Sequence, residues 1–488
     1  MMNSLENMVE PESMARVIDC FIEISDLQKL GFTKSQPAVT GRPAYPPKAM
    51  CKLFIYGYET GIRTSRKLER ETHRNIEIMW LMDSLKPDHK TIAEFRRENV
   101  RPLQKLFREF IKICNSWDLI NGEIIVVDGS KFKASNNKKN NFSRKKLDDR
   151  MARIDEKIKN YLDEMDAADK IEEPEQTANI AGLQELLERK KKYEGYKKQL
   201  DESEGNELST VDPDARLMGN NRGGVEIAYN VQSAVDDKHD IIVEYDVLMN
   251  PSDQHQLSRM AKKVMRKLKL RRFTILADKG YYNGADLLKV KKLKVKAVVS
   301  KQKPSDSKKL SEEFHTDKFA YDAETDTYNC PAGQTLKSPN SKGAKRRNYF
   351  NKAACTACEQ REKCATGSVK YRRVTRSQYA EIYEETDKRL AMNTELYKRR
   401  QQVVEHPFGT VKNTMHGRQF ILRTRRKVCC EVALFFLGYN LKRVLKVLGF
   451  KGIMERLGLL LPLFLCLLIW RGVFPALRRK TPSKSLVV

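Results

Sequence analysis

Two aspartates follow short apolar segments of a kind that is typical of buried strands. Asp128 lies within IIVVDGSKF (residues 124 to 132), and Asp278 lies within FTILADKGYY (residues 273 to 282). An apolar run without alternation fits a strand buried on both faces, although a buried helix segment can look the same. Taken alone, an aspartate before glycine is ordinary turn chemistry. The repeated pattern instead indicates two buried strands that bring carboxylates to one end of a sheet, which is the chemistry of a divalent-metal site.

A third carboxylate is expected on a helix late in the chain. Residues 383 to 412 have a helical composition and contain Glu405, and Lys412 lies two helical turns further on, nearly on the same face. Pro407 removes a helix hydrogen bond, so we expect a bend just beyond Glu405 that holds the carboxylate at the distortion. His406 is crowded by this proline and is expected to be a local hydrogen-bonding residue rather than a metal ligand.

Four cysteines in the segment 301 to 375 have a spacing that could bind zinc. They are Cys330, Cys355, Cys358 and Cys364. The CxxC pair is a common zinc half-site, and four thiolates would complete a tetrahedral structural ion. The other two cysteines are spaced more loosely than in a standard zinc ribbon, so reduced structural thiols are an equal alternative.

The charge balance points to a polyanionic partner. The 488 residues include 92 Lys plus Arg against 64 Asp plus Glu, a net charge of +28. Nucleic acid is the commonest partner of so basic a surface, although histones and ribosomal proteins share this charge, so it indicates a partner class and not an activity. The ten cysteines and the acidic, mixed first thirty residues favour a reducing cytosol. The length predicts two to four domains.

Residues 11 to 115 are predicted to be mostly helical. A helix that ends at Gly61 is followed by one capped by Thr64 or Ser65 and by another capped by Asp88. Short helices, tight turns and clustered cations predict a helix-turn-helix-like DNA-binding domain. The basic residues expected to contact DNA are Arg63, Arg66, Lys67, Arg70, Arg96 and Arg97. The alternative is a helical bundle with a solvated basic face.

Residues 135 to 219 differ in character from what precedes them. A polar, basic stretch that can order on phosphates is followed by two charged helical segments, roughly 144 to 166 and 182 to 203. The first segment carries a coiled-coil-like apolar stripe formed by Leu147, Met151, Ile154, Ile158 and Leu162. We expect a helical hairpin that acts either as a packing or oligomerising arm or as a direct contact to DNA.

The order of elements predicts an α/β fold. The sequence predicts an antiparallel hairpin from residues 225 to 235 and 240 to 249, followed by an amphipathic helix from Asp253 to Leu270. The strand before Asp278, a helix from about Gly284 and a short strand, VKAVVS, come next. This is the outline of an RNase H-like fold, a mixed five-stranded sheet with helices in which the first and fourth strands are neighbours. That adjacency would bring Asp128 and Asp278 within reach of one cation pair.

Over most of its length the chain resembles the bacterial insertion-sequence transposases of the DDE type, in the group with a Y-R-E-K signature around the third acid. The resemblance rests on GIRTSRKLE, PDHKTIAEFR, IVVDGSKF, ADKGYY and VVEHPFGTVK, which occur in the family's order. It implies that Asp128, Asp278 and Glu405 bind Mg²⁺ (or Mn²⁺) and that Lys412 is the signature lysine.

The rest of the signature is less regular in this chain. Tyr397 stands for the signature tyrosine one residue early. The usual spacing of the arginine falls on Gln401, so Arg400 fills that role only if the helix is locally re-registered. We expect Tyr397, Arg400 and Lys131 to contact DNA.

The resemblance implies cleavage of DNA at the element ends and strand transfer into target DNA, both by in-line displacement at two metal ions. It also implies that the N-terminal helices read terminal inverted repeats in double-stranded DNA and that two copies form a synaptic homodimer. An RNase H-like nuclease without joining activity and a catalytically inactive DNA-binding repressor remain alternatives.

The predicted domain boundaries follow from these changes in character. They are 1–115 for the helical DNA-binding domain, 116–134 with 220–300 and 376–450 for the catalytic core, 135–219 and 301–375 for two insertions, and 451–488 for an apolar and basic tail. Within that tail, residues 457 to 470 are apolar but shorter than the roughly 18 to 20 residues that span a bilayer, so a buried or interfacial segment is expected. We expect a bacterial cytoplasmic protein associated with the nucleoid, without membrane contact.

Overall fold

The computed structural model describes residues 5–32, 44–168, 176–202, 205–219, 223–301, 310–340, 344–365 and 369–470. The first part of the chain forms only helices within these ranges. They are α1 (Leu5–Met8), α2 (Met14–Glu23), α3 (Leu27–Leu30), α4 (Pro47–Thr60), α5 (Ser65–Glu71), α6 (Ile76–Leu81), α7 (His89–Glu98) and α8 (Val100–Ser116). The predicted boundaries are confirmed: Gly61 ends α4 at φ 82°, and the side chains of Thr64 and Asp88 accept N–H groups at the starts of α5 and α7.

The chain then enters the sheet with β1 (Ile124–Lys133) and leaves it for a helical hairpin. This arm consists of β2 (Asn141–Ser143), α9 (Arg144–Ala168), α10 (Gln176–Asp201) and β3 (Glu207–Ser209). The predicted helical pair is confirmed, with α9 packed against α10 and β2 paired with β3. Of the expected apolar stripe, Leu147 and Ile154 are buried whereas Leu162 is 47% exposed. The arm has a small core of its own around Phe142, Leu147 and Leu200.

The central sheet is mixed and has six strands, one more than predicted. After β1 they are β4 (Arg216–Gly219), β5 (Val225–Asp236), β6 (Ile241–Leu248), β7 (Thr274–Ala277) and β8 (Lys296–Val299), with α11 (Leu257–Leu268) and α12 (Gly284–Lys292) between them. The extra strand, β4, pairs with the first residues of β5. The helix expected to start at Asp253 begins only at Leu257, so Asp253 lies in the loop before it.

The spatial order of the strands is β6–β5–β1–β7–β8. β5 is antiparallel to both β1 and β6, whereas β1, β7 and β8 are parallel neighbours. The expected adjacency of the two Asp-bearing strands is therefore confirmed, with Val126 opposite Leu276. The pairing of β1 with β7 ends at Val126 and Leu276, so Asp128, which lies within β1, and Asp278, which directly follows β7, both lie just beyond it.

The cysteine-containing insertion is built from short elements around a separate small core. Its elements are β9 (Ala320–Asp322), β10 (Thr327–Asn329), β11 (Thr335–Leu336), β12 (Arg346–Tyr349), α13 (Lys352–Thr356), α14 (Arg361–Cys364) and β13 (Val374–Ser377). The core is formed by Phe319, Tyr328, Leu336, Tyr349 and Val374. The sequence segment with few apolar residues thus still folds, because its aromatic rings pack against each other.

Three long helical elements close the fold. They are α15 (Ala380–Met392), α16 (Thr394–Gly409) and α17 (Arg425–Trp470). The helix α16 continues through Pro407, and the distortion comes a few residues later than expected, as a π-helical turn over Thr410–Thr414. The helix α17 is interrupted at Gly449, whose φ is 68°. It packs against α2, α4, α8 and β6, so the N-terminal helices and the sheet share one continuous hydrophobic core.

The predicted tail falls largely outside the described residues, since residues 471–488 and the side chains of 459–470 are not described. Within the described residues, no helix has the length and apolar character needed to cross a membrane.

Candidate active site

Asp128 and Asp278 lie close together where the pairing of β1 with β7 ends. Asp128 is the fifth residue of β1, which continues to Lys133, and Asp278 follows β7 directly. The pKa of Asp128 is raised to about 7, first because the carboxyl is buried and then because of the negative charge of Asp278. Asp278 lies at the start of a 3₁₀ turn, where its Oδ1 accepts the N–H of Gly280 at 2.9 Å. Two neighbouring carboxylates that repel each other form a place where a cation would be stabilised.

Lys412 lies beside Asp128 on the same face of β1. Its Nζ donates to Oγ of Ser130 at 2.7 Å and lies 4.7 Å from the centre of the Phe132 ring. Strand alternation puts the side chains of Asp128, Ser130 and Phe132 on one face. Burial lowers the pKa of Lys412, while Asp128 acts in the opposite direction. The π-helical turn therefore places the ammonium group of Lys412 close to Asp128.

Tyr397 and Arg400 also lie near the Asp128–Asp278 pair. The hydroxyl of Tyr397 donates to the carbonyl oxygen of Ala277, the residue before Asp278, at 3.2 Å. The guanidinium of Arg400 lies 5.4 Å from the centre of the Tyr397 ring, and its charge lowers the pKa of Asp128. Its Nε is buried and has no hydrogen-bond partner within the described part of the chain. Of the two candidates for the arginine position, it is Arg400 that is electrostatically coupled to Asp128.

Glu405 is not brought into the Asp128–Asp278 pair. Its side chain is exposed and its Oε1 accepts from Nε2 of Gln401 at 2.7 Å, while the neighbouring Val403 and Val404 are buried. Among the residues that the structure describes, no group of three or more His, Cys, Asp or Glu side chains is arranged so that it could hold a metal ion. Of the three carboxylates expected to converge, Asp128 and Asp278 do so and Glu405 does not. The reason is that Glu405 lies on the exposed face of α16 and not on its buried face.

His406 makes a hydrogen bond through Nδ1 to the hydroxyl of Tyr439 at 3.0 Å. The expectation of a local hydrogen-bonding role is confirmed.

Lys131 is half-buried, and strand alternation directs it to the face of β1 opposite Asp128.

Sequence reasoning missed Asp253. It lies close to the pair, and its charge contributes to the raised pKa values of Asp128 and Tyr281. Its Oδ1 accepts hydrogen bonds from Nδ2 of Asn230 and from Nε2 of Gln232, each at 2.7 Å. The residues before it, Asn-Pro-Ser, favour a turn over a helix, and this signal could have placed Asp253 in a loop.

Two of the six N-terminal cations predicted to contact DNA are engaged inside the protein. Arg63 forms an ion pair with buried Glu431 at 3.0 Å and donates to the carbonyl oxygens of His416 and Gln419. Arg96 is buried and donates to the carbonyl oxygen of Arg63. These two side chains join α4–α7 to the core and are not presented to solvent. The exposed cations in this group are Arg66, Lys67, Arg70 and Arg97.

The four cysteines predicted to bind zinc surround one cavity of about 30 Å³ in the small core. All four are free thiols. The backbone N–H of Gln334 donates to Sγ of Cys330 at 3.3 Å. The fold thus gathers cysteines that are up to 34 positions apart in the sequence, although their arrangement does not meet the metal-holding geometry described above.

Comparison with known proteins gives two family matches. A family described as "Transposase domain (DUF772)" matches residues 3–98, and one described as "Transposase DDE domain" matches residues 329–445. No curated protein matches the chain. One solved structure, a cryo-EM structure of the piggyBac transposase synaptic complex with hairpin DNA, is similar at 9% identity over 94% of this chain and 82% of that one. Its TM-score is 0.27.

Proposed function

The chain belongs to the DDE-type insertion-sequence transposases, and we propose that it cleaves DNA at the ends of its element and transfers those ends into target DNA. The observation that carries this proposal is the meeting of Asp128, Asp278 and Lys412 at one edge of the sheet. The strand order β6–β5–β1–β7–β8 supports an RNase H-like core, since it places the first and fourth strands of that fold side by side.

The residues at this edge suit a hard divalent cation, Mg²⁺ or Mn²⁺. Asp128 and Asp278 supply oxygen donors, and their mutual repulsion would be relieved by a positive ion. We assign the third ligand to Glu405, an exposed acid on α16, the helix that also carries Tyr397 and Arg400. When bound there, the metal acts as a Lewis acid on the nucleophile and on the leaving 3′-oxygen of a phosphodiester.

The chain's own cations would position the DNA backbone. Lys412 is anchored by Ser130 and can bind a phosphate oxygen as a point charge. Arg400 keeps a buried Nε without a partner in the described structure, so a phosphate at the site would satisfy it. Tyr397 holds the backbone just before Asp278. Together these side chains would orient the scissile phosphate against the two aspartates.

The proposal extends to the contacts with DNA outside the active site and to the number of copies that act together. The exposed cations of α5 and α7 (Arg66, Lys67, Arg70 and Arg97) would contact the terminal inverted repeats of double-stranded DNA, consistent with a net charge of +28. Strand transfer of two ends implies a homodimer. An enzyme with this substrate would act on the bacterial nucleoid in the cytoplasm.

We also assign structural Zn²⁺ to Cys330, Cys355, Cys358 and Cys364. Four thiols around one small cavity, one of them accepting a backbone N–H, are a suitable donor set for zinc, and a closed four-thiolate site would be architectural. The zinc content of the full-length protein tests this assignment. Cys358→Ser should lower the zinc content, whereas Cys20→Ser, in the N-terminal helices, should not. Zinc-free protein with an intact insertion would contradict it.

The decisive experiment for the function is a joining assay with labelled element ends and Mg²⁺. A transposase cleaves the ends and joins a pre-cleaved 3′-hydroxyl end to a target duplex. A nuclease on the same fold would cleave without joining, and a repressor would bind the ends without either reaction. Asp128→Ala should abolish cleavage and joining while end binding is retained. Cleavage by Asp128→Ala at the wild-type rate would exclude the proposed site.

A further inference from the structure

A buried polar network lies directly behind the Asp128–Asp278 pair and has no part in the chemistry proposed above. Asn230 and Gln232 on β5 are almost completely buried, as is Tyr281 in the turn after Asp278. Both amides donate to Oδ1 of Asp253, and the hydroxyl of Tyr281 donates to Oε1 of Gln232. Buried polar groups in a strand interior destabilise a protein unless they are satisfied, so a complete network at this place requires an explanation.

At one end the network touches the strand that carries Asp128. A Cβ on Gly129 would lie 2.3 Å from Nε2 of Gln232 and 2.5 Å from Oδ1 of Asp253, distances that side chains do not tolerate. Glycine at this position therefore lets Gln232 and Asp253 press against the backbone of β1. The contact falls on the residue that immediately follows Asp128.

At the other end the network holds the turn that carries Asp278. Tyr281 is the third residue after Asp278, and its N–H donates to the carbonyl oxygen of Asp278 at 3.2 Å. Oδ2 of Asp253 lies 3.6 Å from the Cβ position of Gly280, so the loop before α11 also packs on this turn. The backbone of β1 thus packs against Gln232 and Asp253, and the turn after β7 is joined to the same two side chains through Tyr281 and Gly280.

We propose that Asp253 is a positioning residue, which sets the separation of Asp128 and Asp278 through Gln232 and Tyr281. The inference rests on the proposed metal-binding role of that aspartate pair. Asp253 would act by accepting hydrogen bonds and not as a metal ligand, because its Oδ1 already receives two amide N–H groups. A partner of this kind, outside the ligands themselves, typically changes metal affinity by about 10- to 100-fold when it is removed.

The test measures Mn²⁺ binding to the full-length protein by calorimetry, without DNA. Asp253→Ala removes the acceptor and should weaken binding by roughly tenfold or more. Asp253→Asn keeps an acceptor oxygen for the two amides but removes the charge, and it should bind within about threefold of wild type, since the positioning contacts survive. Tyr281→Phe removes one hydrogen bond without changing the shape of the core, and it should weaken binding as well.

Asp246→Asn serves as the matched control. Asp246 is a buried carboxylate on neighbouring β6 that pairs with Arg259, Lys263 and Arg425, so its loss should lower the unfolding temperature without changing Mn²⁺ affinity. Unchanged binding in both Asp253→Ala and Tyr281→Phe would overturn the proposal. So would Asp253→Asn binding as weakly as Asp253→Ala, because the charge and not the hydrogen bonds would then be what matters. If Asp128→Ala binds Mn²⁺ like wild type, the proposed function fails, whatever the Asp253 variants do.

Discussion

Nζ of Lys412 donates a hydrogen bond to Oγ of Ser130 across 282 residues of sequence. The transposase DDE match begins at residue 329, so it contains Lys412 and Glu405 but neither aspartate of the pair. The contact between Lys412 and Ser130 is thus one of those by which the fold attaches the C-terminal part of the signature to the strand that carries Asp128.

Lys412→Ala should abolish most of the cleavage activity. The anchored ammonium would be lost from the phosphate, and removal of one such preorganised group typically slows an enzyme by about 10²- to 10³-fold. Single-turnover cleavage of labelled element ends measures the effect, and a mobility-shift assay checks that end binding is retained. Lys398→Ala is the matched control, because that lysine is exposed on α16 and pairs with Glu395. Equal losses in the two variants would contradict the assignment.

The Asp128–Asp278 pair should make the metal-free protein less stable as the pH rises. The pKa of Asp128 is raised to about 7 in the folded protein from an ordinary value of 3.8. A carboxyl whose folded-state pKa is raised stabilises the fold while it is protonated, and this contribution is lost as the pH rises from about 4 through 7. Thermal unfolding in EDTA at pH 5.5 and pH 8 should therefore differ more in wild type than in Asp128→Asn.

The titration of Asp128 also predicts that Mn²⁺ binding depends on pH. Mn²⁺ must replace the proton on Asp128, so its binding should weaken as the pH falls below about 7. Added Mn²⁺ should then raise the unfolding temperature of the wild-type protein much more at pH 8 than at pH 5.5. An equal stabilisation at the two pH values, or one that persists in Asp128→Asn, would place the ion elsewhere.

Arg63→Ala should destabilise the protein, and Arg66→Ala should not. Glu431 is completely buried and accepts hydrogen bonds from Arg63 and from the N–H groups of Ile421 and Leu422. Removal of one partner from a buried ion pair typically costs about 3–5 kcal/mol. Arg66 is exposed, so its loss should weaken binding to the inverted repeats and leave the urea unfolding midpoint unchanged. If Arg63→Ala is as stable as wild type but binds the element ends poorly, Arg63 contacts DNA and the structural role given to it here is wrong.

The sequence allowed the strands and many helix boundaries to be predicted because apolar runs and capping residues act locally. Thr64 and Asp88 cap the helices that their positions indicated, and the strand before Asp128 pairs with the strand before Asp278 as the order of elements implied. Arg63 could not be recognised as an internal residue, because its partner Glu431 lies 368 positions away. Charge in a sequence indicates what a side chain can bind and not which side of the fold it faces.

The place of Asp253 shows a second limit of the sequence. The amphipathic pattern from Asp253 to Leu270 predicts one helix, whereas α11 begins only at Leu257 and leaves Asp253 in the preceding loop. Its true surroundings, Asn230 and Gln232, are buried amides in the middle of β5. Such residues are a signal of a polar network, but only the register between β1 and β5 shows that this network lies behind Gly129.

Glu405→Gln tests the one predicted ligand that the fold leaves outside the pair. If Glu405 completes the metal site when DNA binds, the variant should lose cleavage by about 10²-fold or more while it still binds the element ends. Its Mn²⁺ affinity without DNA should change little, because in the free protein Glu405 lies on the exposed face of α16, apart from the two aspartates. Glu395→Gln is the matched control, since Glu395 is an exposed acid on the same helix that pairs with Lys398. Wild-type cleavage by Glu405→Gln would mean that another group supplies the third ligand.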